Sequence, residues 1–61
     1  MTAKELEKII KKDGWYLYGI EGSHYQYKHP FKKGKITLPF HIGRDLNKKI
    51  INTVLKKSGL K

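Results

Sequence analysis

Sixty-one residues suffice for one domain, expected to span 1–61, and a chain this short buries only about 60% of its unfolded surface. Any site should therefore lie open on the surface rather than in a large enclosed pocket. The absence of cysteine excludes a disulfide framework and a zinc knuckle, and no apolar run approaches the roughly 18 residues of a membrane span. The N-terminal residues carry Lys4, Glu5, Glu7 and Lys8 in a helical pattern instead of the apolar core of a signal peptide. A cytoplasmic location without membrane contact is expected.

Charge is the loudest global feature. Fourteen Lys and Arg against five Asp and Glu give a net charge of +9. Residues 1–14 hold four lysines and three acids, so nearly all the excess lies beyond them. A small basic domain attracts polyanions, of which nucleic acid is the commonest; an acidic protein partner fits the same charge.

The first predicted element is a helix from Ala3 to Lys12. Thr2 and Glu5 make a capping box, and Ala3, Leu6, Ile9 and Ile10 form one apolar stripe. Lys11 and Lys12 favour the negative end of the helix dipole, and Asp13-Gly14 stops the helix. Trp15–Ile20 reads as a strand, Glu21-Gly22 as a turn and Ser23–His29 as a second strand. Pro30–Gly34 is a loop, and Lys35–Pro39 is a third strand with clean alternation. Phe40–Leu46 connects to a helix from Lys48 to Ser58, with Asn47 as its N-cap and Gly59 as its C-cap. The order is αβββα, an α+β fold whose three strands form an antiparallel meander. Both helices should cover one face of the sheet, because neither can bury its stripe elsewhere in so short a chain.

Side chains alternate across a strand. In the second strand Ser23, Tyr25, Tyr27 and His29 share one row, and His24, Gln26 and Lys28 share the other. The tyrosines suit the core, which leaves the His24 row open. Trp15 and Leu17 likewise point inward, with Tyr16 and Tyr18 outward; Ile36 and Leu38 point inward, with Lys35 and Thr37 outward. A three-residue loop, Ile20-Glu21-Gly22, keeps these rows consistent, with Gly22 as a bulge and with Leu17 opposite Tyr25 and Tyr18 opposite His24. The predicted open face is Tyr16, Tyr18, His24, Gln26, Lys28, Lys35 and Thr37. Aromatic rings stack bases at about 1–3 kcal/mol each and lysines hold phosphates, so this is a surface for single-stranded RNA. Exposed tyrosines also simply suit strands.

Gly14-Trp15 after the first helix, Gly22-Ser23-His24 opening the second strand, His29-Pro30 closing it, Leu38-Pro39 followed by His41, and the terminal Ser58-Gly59-Leu60 recur together in one family. In these features, over essentially the whole length, the chain resembles the HicA toxins of HicAB toxin–antitoxin systems. The resemblance implies a double-stranded-RNA-binding-like fold, cleavage of mRNA with arrest of translation, and a HicB-like antitoxin as partner. It places the family's essential histidine at His24. One departure is that Lys48-Lys49 stands where members often carry Pro-Gly before the last helix.

An imidazole with a pKa near 6.5 can take the proton of an RNA 2′-hydroxyl at neutral pH. Attack on the adjacent phosphorus leaves a 2′,3′-cyclic phosphate and a 5′-hydroxyl. Lys28 or Lys35 would offset charge on the phosphate, and Tyr18 is expected to orient His24. Ser23 is expected to shape the turn. No second acid–base group stands out. By strand parity His24, His29 and His41 do not converge, so no metal or other cofactor is expected; His29 and His41 read as structural or phosphate-contacting. The expected state is a monomer or a toxin–antitoxin hetero-oligomer. Lys48 and Lys49, at the start of the last helix, supply the alternative: a non-catalytic RNA-binding module presenting lysines to phosphates.

Overall fold

In the computed structural model, which describes residues 1–41 and 43–61, the chain runs α1 (Ala3–Lys12), β1 (Tyr16–Glu21), β2 (His24–Lys28), β3 (Lys35–Pro39) and α2 (Lys48–Ser58). Ile42, part of the expected connection between β3 and α2, lies outside the described residues. The strands form an antiparallel sheet in the order β1-β2-β3. The α+β fold is therefore as expected, with both helix boundaries at the expected residues. The two N-terminal strands begin one residue later than expected, and β2 stops at Lys28 instead of His29.

Local chemistry sets the helix ends. Glu5 N–H donates to Thr2 Oγ1 at 3.2 Å and Thr2 N–H donates to Glu5 Oε1 at 2.9 Å, completing the capping box. Asn47 Oδ1 accepts from Ile50 N–H at 2.8 Å, and Gly59 ends α2 with φ of 80°. The helix stripes meet the sheet in one core: Ala3, Leu6 and Ile10 from α1, Val54 from α2, Tyr27, Ile36 and Leu38 from the sheet, and Trp15 just before β1. All these groups are buried, while the alternate residues His24, Lys28, Lys35 and Thr37 are exposed. Both helices therefore lie on one side of the sheet, and the other side is bare.

The β1–β2 hairpin corrects the expected register. Glu21 pairs with His24, Ile20 with Tyr25 and Gly19 with Gln26, so the loop is the two residues Gly22 and Ser23. Gly22 has φ of 62° and, among the described residues, no non-glycine residue has positive φ, the pattern of a II′ turn with glycine first. The extra residue needed to keep Leu17 on the core side sits inside β1 instead: Leu17 pairs with Tyr27, and Tyr18 is the bulge before Gly19. Gly22 is thus the turn and not the bulge. Glu21, not Tyr18, is the residue across from His24. A bulge beside glycine is cheap because Gly19 has no side chain to redirect.

Candidate functional site

The bare face of the sheet is a set of three cross-strand rows. At the hairpin end lie Glu21, His24 and Pro39; next come Gly19, Gln26 and Thr37; at the far end lie Tyr16, Lys28 and Lys35. Tyr18 reaches over the gap left by Gly19. Its O–H donates to Gln26 Oε1 at 2.7 Å, and Lys28 Nζ sits 4.6 Å from its ring centroid. The lysine thus covers one aromatic ring through a cation–π contact. Gln26 in turn donates from Nε2 to Glu21 Oε2 at 3.3 Å. Four side chains, Lys28, Tyr18, Gln26 and Glu21, are linked from one end of the face to the other.

The electrostatics favour an anion at the far end. Lys28 and Lys35 are directly opposed, an arrangement that is destabilising between like charges unless something neutralises it. His24 lies four residues along β2 from Lys28, about 13 Å at strand rise. Tyr16 is 49% exposed and Tyr18 39%, so both rings have free area.

The structure brings Tyr16, Tyr18, His24, Gln26, Lys28 and Lys35 onto one surface. Lys48 and Lys49 are exposed but belong to the first turn of α2, in the helix layer behind the sheet. His41 is exposed, two residues after Pro39, and borders a pocket with Thr2, Ala3, Lys4, Phe40 and Gly43. His29 is tied into the fold: its Nδ1 accepts from the N–H groups of Phe31 at 3.0 Å and Lys32 at 3.1 Å. Among the described residues no three of His, Asp and Glu gather in a metal-holding group.

Glu21 is the site residue that reading the sequence alone overlooks. Its signal was the Gly-Ser dipeptide, which suits a II′ turn and would have paired Glu21 with His24. The three-residue loop expected from the hydrophobic rows keeps Leu17 inward with no bulge inside β1, and so leaves Glu21 in the loop instead of opposite His24.

The model of the family described as HicA toxin of bacterial toxin–antitoxin matches residues 3–60 of the chain. The chain belongs to the HicA toxin family. The match runs from the first residue of α1 to the residue after the Gly59 cap, so it takes in every element of the fold and all of the open face. Membership makes the chain the toxin half of a toxin–antitoxin pair and implies an antitoxin partner. A comparison with curated proteins gives no match. Among the described residues no helix is long and apolar enough to cross a membrane.

Proposed function

We propose that this toxin is a metal-independent endoribonuclease that cleaves mRNA and so inhibits translation, with His24 as an acid–base group. The observation that carries the reading is the exposed His24 in one row with Gln26 and Lys28, beside two exposed tyrosines, on the sheet face that no helix covers. RNA supplies its own nucleophile, so an exposed imidazole on an open face has the acid–base part that the reaction needs, and Lys28 and Lys35, farther along the face, suit neighbouring phosphates of the same strand. Tyr16 and Tyr18 offer rings for stacking, Gln26 offers polar contact, and Lys28 and Lys35 hold phosphates. Gly22 and Ser23 shape the turn that presents His24. The single domain 1–61 acts in the cytoplasm, as a monomer or bound to a HicB-like antitoxin that covers the same face.

Expression of the chain with and without His24→Ala tests the reading. Wild type should arrest growth and cut RNA in the presence of EDTA, and the variant should do neither while remaining folded. Lys48 and Lys49, exposed at the start of α2, favour a second reading as a non-catalytic RNA-binding module. Tight RNA binding by wild type with no cleavage would decide for it.

A further inference from the structure

His24 is the first residue of β2, and Glu21 is the last residue of β1, directly across the hairpin. Directly opposed residues hold their Cβ atoms about 4.5–5.5 Å apart on the same face. The Glu21 carboxylate is directed over the open face, because it accepts from Gln26, the next residue along in the His24 row. Gln26 is held in turn by Tyr18. Glu21 and His24 nevertheless form no ion pair within 4.0 Å. Two acid–base groups on one open face, one strand spacing apart and not bonded to each other, can both reach one bound phosphodiester.

We infer that Glu21 is the second acid–base group of the site: it takes the proton from the 2′-hydroxyl, and His24, as imidazolium, protonates the leaving 5′-oxygen. The inference rests on the ribonuclease reading and extends it. A carboxylate is the ordinary base, and an imidazolium the ordinary acid, near neutral pH. The 2′-oxygen forms its bond to phosphorus as its proton passes to Glu21. The bond from phosphorus to the 5′-oxygen breaks as that oxygen receives the His24 proton. The products are a 2′,3′-cyclic phosphate and a 5′-hydroxyl, with Glu21 protonated and His24 neutral. Exchange with water restores both groups, so no other reactant is consumed.

Cleavage of a short oligoribonucleotide by the full chain, followed from pH 4 to 9, tests this assignment. Glu21→Gln keeps the size and the polar contact to Gln26, and should lower kcat about 10²–10⁴-fold. It should also abolish the acidic limb of the pH profile without weakening RNA affinity or lowering the melting temperature. Glu21→Asp should retain the acidic limb. A substrate with sulfur replacing the scissile 5′-oxygen has a leaving group that needs no proton. It should restore cleavage by His24→Ala but not by Glu21→Gln. If wild type cuts, requires His24 and is slowed less than threefold by Glu21→Gln with its acidic limb intact, the role of Glu21 is overturned and the ribonuclease reading stands. If wild type does not cut at all, both fall.

Discussion

His29 Nε2 lies 2.8 Å from the carbonyl oxygen of Asp13, at the C-terminus of α1. Because Nδ1 already accepts two backbone N–H groups, the ring hydrogen belongs on Nε2, and His29 donates it to that carbonyl. The ring thereby joins the end of the helix to the loop after β2. It also packs edge-on to Trp15, with centroids 5.2 Å apart. His24, five residues earlier, is exposed on the other face. The two histidines should therefore respond differently to the same change. His29→Ala removes three hydrogen bonds and a buried ring, and should cost about 2–4 kcal/mol. His24→Ala should stay within about 0.5 kcal/mol of wild type. Urea denaturation followed by tryptophan fluorescence measures both.

Tyr27 is fully buried in the middle of the sheet, and its O–H donates to the Glu7 carboxylate of α1. Burial and the neighbouring carboxylate push its phenol above the ordinary range. Tyr27→Phe keeps the ring and deletes the donor, and should cost about 1.5–3 kcal/mol as a bond to a charged acceptor. Glu7→Gln leaves an acceptor in place and should cost less. Chemical denaturation of the two variants ranks them.

Acid should weaken the fold through particular carboxylates. The hydrogen bond from Lys32 holds Asp13 below its ordinary value, and bonds from the Thr2 backbone and side chain do the same for Glu5. A carboxylate depressed in the folded state is less protonated there than in the unfolded chain. Its stabilisation is therefore complete above the unfolded value and disappears as pH falls through the folded one. Melting temperature should hold steady from pH 7 to about pH 5 and drop below about pH 4. Asp13→Asn should melt lower than wild type at pH 7 and show a shallower acid decline. Lys32→Met should reproduce that shallower decline, since Lys32 Nζ binds both Asp13 and the carbonyl of Ser58.

Gly14 has φ of 110°, and a Cβ built on it would lie 2.8 Å from His29 Nε2. Gly14→Ala therefore adds a collision to backbone strain. Gly22, with φ of 62°, has nothing within 4 Å of such a Cβ. Gly22→Ala should cost about 1–2 kcal/mol from conformation alone, and Gly14→Ala should cost more. Paired thermal melts check the order.

If the open face carries RNA, Lys28→Ala and Lys35→Ala should each weaken binding of a single strand. Each should also reduce the slope of log affinity against log salt by about 0.7. Tyr16→Ala should cost about 1–3 kcal/mol of affinity through lost stacking and leave the salt slope unchanged. Fluorescence anisotropy with a labelled oligoribonucleotide, on the His24→Ala background to prevent cutting, separates the two kinds of loss.

Much of this protein is legible in the order of its residues. Thr2 with Glu5, Asn47, and Gly59 mark helix ends because capping is satisfied within a few residues of chain. Tyr25 and Tyr27 against His24, Gln26 and Lys28 divide the middle strand because alternation is a local property of extended backbone. That two helices cover one face follows from how little else a short chain has with which to bury them. The pairing of β1 with β2 was decided only in three dimensions. Sequence demands one extra residue somewhere between Leu17 and Tyr25 to keep both inward, but local pattern does not say where it goes. The fold places it at Tyr18, beside a glycine with no side chain to misdirect, and so frees Gly22 and Ser23 for a tight turn. That choice, a matter of nonlocal pairing energy and not of local propensity, sets Glu21 across from His24 and turns a lone histidine into one of a pair.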